Sequence, residues 1–211
     1  MLAISQPPGA DASLEELVTI YDHKEATLSN SDGELRYSAT MTIPQVNIDT
    51  PDGRACNWRL RSTLVPSMEM RSEGFGSGII ERSGDIGYEA WIWNGTLTLV
   101  VWDIYNENWS DYDIYVFDLA TGEELDNNQV LSLLGLTPEQ AEEKIGTALE
   151  TTFRAEYTGA QDETYQSRLS ATLTEGTLAR AKIYPSVEGK LMVLCRVMVT
   201  QEGQWRLIQA N

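Results

Sequence analysis

The run Tyr88-Glu89-Ala90-Trp91-Ile92-Trp93-Asn94-Gly95-Thr96-Leu97-Thr98-Leu99-Val100-Val101-Trp102 decides how this chain folds. Asn-Gly between two β-prone arms tolerates positive φ at both central positions of a type I′ turn, so the run predicts a tight hairpin. Successive residues of a strand alternate between faces, and opposed residues of a hairpin share one. Ile92 then lies across from Leu97 and Ala90 from Leu99, with Val101 prolonging an aliphatic face. Trp93 lies across from Thr96 and Trp91 from Thr98, and Trp102 joins them on the other side. The first face is expected to be core and the second a tryptophan–threonine surface. A third strand is expected from Asp113 to Leu119, closed by the turn Ala120-Thr121-Gly122. Between the second and third strands, Asn106 to Asp111 reads as a loop carrying Glu107, Trp109 and Asp111.

Outward from the hairpin, the local signals are mixed. Ser13 to Tyr21 reads as a short amphipathic helix with Leu14, Leu17 and Val18 on one side. Two extended runs, Lys24 to Ser29 and Glu34 to Val46, flank Asn30-Ser31-Asp32-Gly33, a second hairpin signal. Thr50-Pro51 has the form of an N-cap followed by proline at the first helical position. The helix it opens is expected to reach about Val65, placing Ala55, Trp58 and Val65 near one face, although Gly53 weakens it. Glu73 to Gly78 is glycine-rich and reads as a loop. Downstream, Gln129 to Leu134 suggests one or two helical turns, and Thr137-Pro138-Glu139-Gln140 is a capping box for a helix over 138–153. Strands are expected at Arg168–Thr172, Leu178–Tyr184, Leu191–Thr200 and Gln204–Gln209, with turns at Glu188-Gly189 and Glu202-Gly203. Strands and isolated helices without βαβ alternation make the fold class α+β, mainly antiparallel sheet with two or three packed helices. The expected organisation is a linker over 1–12, an N-terminal hairpin-plus-helix subdomain over 13–75 and a C-terminal sheet subdomain over 76–211.

Composition narrows the function classes. The 211 residues include 32 acidic and 15 basic side chains, a net charge of −17 that repels phosphate backbones and anionic lipid. Nucleic acid is therefore not an expected partner, and no apolar run is long enough to insert into a membrane. With one histidine, sites built on two or more are excluded. That residue, His23, lies between Asp22 and Lys24 and reads as an exposed strand-edge side chain. Met1 to Asp11 lacks the basic and apolar regions of a signal peptide, so any targeting segment is expected to lie outside this chain. Cys56 and Cys195 have two readings: buried free thiols, or a disulfide closing a loop worth on the order of 5 kcal/mol.

The run Tyr115-Val116-Phe117-Asp118-Leu119-Ala120-Thr121-Gly122-Glu123-Glu124-Leu125, followed by a capped helix, resembles a bacterial extracytoplasmic domain of unknown function. That domain closes the lysozyme-sensing part of RsiV-type anti-sigma factors and occurs beside PdaC-type peptidoglycan deacetylases. The long hairpin preceding this run matches in position, and Ile43-Pro44-Gln45-Val46 before a helix resembles the partner domain. Between hairpin and signature strand, relatives carry a glycine-glycine-alanine-histidine turn, whereas this chain reads Tyr105-Asn106-Glu107-Asn108-Trp109-Ser110-Asp111-Tyr112-Asp113. What that turn does in relatives is therefore not carried over. The resemblance implies a secreted or surface-anchored, non-catalytic binding or sensing domain at the bacterial cell envelope.

Eight residues form the candidate binding set: Trp91, Trp93, Trp102, Tyr105, Glu107, Trp109, Asp111 and Asp113. Indoles on a sheet can stack on sugars or anchor a protein, which makes a cell-wall glycan one candidate partner. The other reading is that the helix over 138–153 covers this face, since tryptophan is highly buried on average. Carboxylates interleaved with aromatics, Asp103 among them, suit a basic protein such as lysozyme, with opposite charge speeding encounter. A solvated loop whose charge only keeps the protein soluble is the plainer reading. Asn106, Glu107, Asn108, Asp111 and Asp113 are also oxygen donors for calcium, but EF-hand spacing and its central glycine are missing. No nucleotide, phosphate or nucleophile-elbow motif occurs, so no cofactor and no catalytic residue is assigned. The third reading, after a binding domain and a carbohydrate-binding module, is an envelope hydrolase using a carboxylate pair.

Overall fold

A computed structural model describes residues 12–29, 35–77, 84–106 and 109–211, without the side chains of residues 28–29, 35–37, 73–77, 105–106 and 109. The fold is α+β, with five helices, a five-stranded sheet and a three-stranded sheet among the described residues. The chain divides into two compact units, Met1–Glu124 and Leu125–Asn211.

The first unit begins with helix α1 (Leu14–Leu17) and strands β1 (Val18–Ser29) and β2 (Leu35–Val46). The expected helix from Ser13 to Tyr21 thus stops after one turn. Val18-Thr19-Ile20 is β-branched and stiff at χ1, and it pairs with Val46-Gln45-Pro44. Helix α2 spans Pro51–Ser77. Thr50 Oγ1 caps it by accepting from Gly53 N at 3.2 Å. The glycine is required there, because a Cβ on Gly53 would stand 2.1 Å from the Ile48 carbonyl oxygen. The helix does not end near Val65, and Glu73–Ser77, expected as a loop, is helical. It passes through Pro66 because that residue lies on the exposed side, where water can satisfy the freed carbonyl, while the buried stripe continues beneath.

That stripe is Cys56, Leu60, Leu64 and Met68 at intervals of four, on the side of the helix away from Ala55 and Trp58. It packs on the aliphatic face of the sheet formed by β1, β2, β3 (Ile86–Trp93), β4 (Thr96–Asn106) and β5 (Trp109–Asp118), in that spatial order. All neighbours are antiparallel except β2 and β3, which run parallel through the pair Met41–Ile86. Strands from both sides of the boundary expected at 75/76 therefore share one sheet. Met41, Ile43, Leu97, Leu99 and Phe117 fill the interface with α2, each about 1.5–3 kcal/mol of burial. The helix is also pinned at its start, where Thr50 Oγ1 donates to Gly122 O at 2.7 Å and Glu124 N donates to Asp52 Oδ2 at 2.9 Å.

The second unit contains α3 (Asn127–Leu134), α4 (Pro138–Glu156), α5 (Glu163–Glu175), β6 (Lys182–Pro185), β7 (Leu191–Val197) and β8 (Gln204–Gln209). The α4 capping box is formed, with Gln140 N donating to Thr137 Oγ1 at 3.3 Å and Thr137 N to Gln140 Oε1 at 3.0 Å. Ala141, Ile145, Leu149 and Phe153 make its buried stripe. The strand expected at Arg168–Thr172 is instead helical. Asp162 starts that helix by accepting from Thr164 N and Tyr165 N, and Tyr165 and Thr172 bury two turns apart. Tyr165 joins Phe153 and Tyr157 in a ring cluster with centroids 5.1–5.3 Å apart. The strand expected from Leu178 to Tyr184 starts only at Lys182.

Candidate functional site

The hairpin has the expected register: Ile92 pairs with Leu97, Ala90 with Leu99, Trp91 with Thr98 and Trp93 with Thr96. Asn94 and Gly95 take φ of 47° and 74°, as a type I′ turn requires. The aliphatic side is core, though Ile92 at the hairpin end stays 37% exposed. The other side, for which the sequence allowed both a binding surface and a covered face, is largely closed. Thr96, Thr98, Val100 and Val116 on this side are buried, and Trp91, Trp93 and Trp102 are half-buried. The Trp102 indole lies across its cross-strand partner Gly87, where a Cβ would stand 2.6 Å from the ring.

The segment read as an acidic–aromatic loop is largely strand. β4 runs on to Asn106 and β5 begins at Trp109, because the pairing continues through Trp102–Tyr112, Asp103–Asp111 and Ile104–Ser110. Glu107 and the side chains of Tyr105 and Trp109 lie outside the described residues. The pairing carries Trp102, Asp103, Asp111, Tyr112 and Asp113 to one cleft of about 260 Å³, completed by Thr63 and Leu64 of α2 and by Val101. Of the expected binding residues, this cleft unites Trp102, Asp111 and Asp113, while Trp91 and Trp93 do not line it.

Electrostatics give the cleft its character. Asp103 and Asp111 face each other directly across the β4–β5 ladder, an arrangement of like charges that costs stability. Asp103 is neutralised from below: the buried Arg71 guanidinium donates to Oδ1, and Ser67 Oγ donates to Oδ2 at 2.7 Å. Asp111 and Asp113 remain exposed. The surrounding protein nevertheless displaces enough water to raise the Asp113 carboxyl above its ordinary range, with Arg59 opposing and Asp111 and Glu124 adding to the rise. Arg59 is itself held by Glu124 Oε2 at 2.5 Å and lies 5.0 Å above the Tyr115 ring. The cleft therefore presents two solvent-facing carboxylates on the α2 side of the sheet, with the Trp102 and Tyr112 rings on the opposite face, and a cation is the group it is built to receive.

Sequence reading missed the most exposed indole among the described residues. Trp58 on α2 keeps 70% of its surface open, and Tyr21 on β1 keeps 46%. With Arg54, Asn57, Arg61, Ser62 and Val65 they line a groove of about 540 Å³. The signal was present: Cys56-Leu60-Leu64-Met68 at strict intervals of four defines the buried side of α2 and turns Trp58 outward. The histidine behaves as the sequence suggests, exposed on β1 with its Nδ1 2.9 Å from Thr42 Oγ1. Both cysteines are free and buried. Among the described residues no helix is long and apolar enough to cross a membrane. No family model matches the chain, and no curated protein matches it.

Proposed function

We propose that this protein is a non-catalytic recognition domain whose β4–β5 cleft takes a cationic side chain of a basic partner protein. The observation that carries the reading is the opposed Asp103–Asp111 pair. The fold supplies a buried cation to one of these carboxylates and leaves the other, with Asp113, facing water. An arriving lysine or arginine relieves a repulsion already present and makes charge-assisted hydrogen bonds to the two carboxylates. The charge of −17 steers such a partner toward the protein. The resemblance to RsiV-type sensing domains supports an extracytoplasmic, envelope-associated location and makes lysozyme the first partner to try.

The test is binding of immobilised protein to lysozyme and to an oligoarginine peptide across a salt series. Binding should weaken by about 10- to 100-fold between 20 and 200 mM salt, and Asp111→Asn/Asp113→Asn should lose at least about tenfold at low salt. A protein that retains neither probe at low salt, or a double variant that binds as the parent does, overturns the proposal.

A further inference from the structure

The Trp58 groove is separate from the acidic cleft in its lining residues, and its chemistry is opposite. Arg54, Trp58 and Arg61 recur at intervals of four and three on α2, so they stand in a row on its outer side, with Ser62 and Val65 a turn further on. Tyr21 of the edge strand β1 forms the second wall, and the Arg61 guanidinium lies 4.2 Å from the centre of its ring. Arg61 donates to Gln45, a neutral acceptor, and its Nε has no acceptor among the described residues. Arg54 pairs with Asp49 at 2.6 Å, but both side chains are more than 60% exposed, so the pair is weak and exchangeable. Two guanidiniums with so little local compensation stand out in a chain of net charge −17.

We propose that this groove binds a saccharide bearing a carboxylate, stacked on the Trp58 indole with its acid group on the Arg61 and Arg54 guanidiniums. The indole presents a flat apolar plane to water, which suits the C–H face of a pyranose. The guanidinium fork matches a carboxylate in shape as well as charge. Ser62 Oγ donates to Arg59 O at 3.0 Å and so keeps lone pairs to accept from a sugar hydroxyl. The volume is in the range of small-ligand sites, while Val65 is the one aliphatic side chain in the lining. The groove therefore lacks the deep apolar pocket that anchors a peptide side chain.

The test uses the whole chain and watches the tryptophan indole N–H resonances by NMR, with the Trp58 signal assigned from its loss in Trp58→Ala. The probes are digalacturonate, a glucuronate-containing disaccharide and N-acetylmuramic acid, against galactobiose as the neutral control and tetraglutamate as an acidic peptide. At least one acidic saccharide should shift the Trp58 signal saturably below about 10 mM, and Trp58→Ala should abolish its binding. Arg61→Gln should weaken the acidic saccharide by about tenfold and leave the weaker galactobiose binding unchanged. Circular dichroism of each variant checks that loss of binding is not loss of fold. No shift with any acidic saccharide, equal affinity for galactobiose, or tighter binding of tetraglutamate each overturns the proposal. So does a Trp58 shift that tracks protein concentration alone, since that identifies a second copy of the chain as the occupant.

Discussion

Replacing Asp103 with alanine should cost the first unit far more than its place in a strand suggests. The carboxylate and the Arg71 guanidinium are 9% and 3% exposed, and Ser67 adds a second hydrogen bond to the same carboxylate. Removing one member of a buried pair takes a charged hydrogen-bond partner from the other in low dielectric, a loss of about 3–5 kcal/mol. With a urea m-value of about 1.5 kcal/mol/M, the midpoint should fall by about 2–3 M. Five of the six tryptophans lie in Met1–Glu124, so indole fluorescence chiefly reports this unit. The comparison is Asp49→Asn, which opens the exposed pair with Arg54 and should move the midpoint by less than about 0.5 M. The double variant Arg71→Met/Asp103→Leu removes both charges together and should recover most of the loss, because the desolvation of both groups is removed with them. If Asp103→Ala costs no more than Asp49→Asn, or the double variant falls as far as the single, desolvation is not what governs this site.

Other outcomes follow from named contacts. Gly87→Ala should destabilise by about 1–3 kcal/mol and alter the near-ultraviolet circular dichroism, because its Cβ would meet the Trp102 ring at 2.6 Å. In a Trp102→Leu background most of that cost should vanish. Asp113, whose carboxyl is raised by burial, contributes stability that is present below its unfolded value of 3.8 and lost as pH rises through its folded value. Asp113→Asn should therefore raise the melting temperature at pH 7 and leave it unchanged at pH 3; equal gains at both would count against the burial argument. Burial raises both thiols, Cys195 to about 12 and Cys56 further, so neither should react with a thiol reagent at pH 8 while the protein is folded. In denaturant both should react, and a native protein that titrates within seconds contradicts the packing.

Local chemistry was legible where one residue pair settles a backbone choice. Asn94-Gly95, Thr50-Pro51 and the Thr137 capping box each act within four residues, and each takes its expected form. The α+β class followed from the same signals. What misled were segments whose local preference is weak and whose partner is distant. Val18 to Tyr21 can be written as helix or strand, and pairing with β2 decides for strand. Residues 168–172 look β-prone, yet the Asp162 cap and the Tyr165 ring cluster make them helical. Asn106 to Asp111 looked like a loop because charge and aromatics carry no period, but the β4–β5 ladder extends through most of it.

The candidate sites divide in the same way. Alternation along β4 and β5 is a property of the chain itself, so the faces taken by Trp102, Asp111 and Asp113 could be written down in advance. Whether a face meets water could not, since accessibility depends on what tertiary packing lays over it. The hairpin indoles are half-closed while Trp58, read from the sequence only as part of a helix face with Ala55 and Val65, stands open. Likewise nothing within a few residues of Asp103 shows that Arg71, 32 positions earlier, neutralises it. Short-range sterics and hydrogen bonding set the turns, caps and alternation from neighbouring residues alone. Burial and charge pairing are sums over residues far apart in the chain, and only the folded structure brings those terms together.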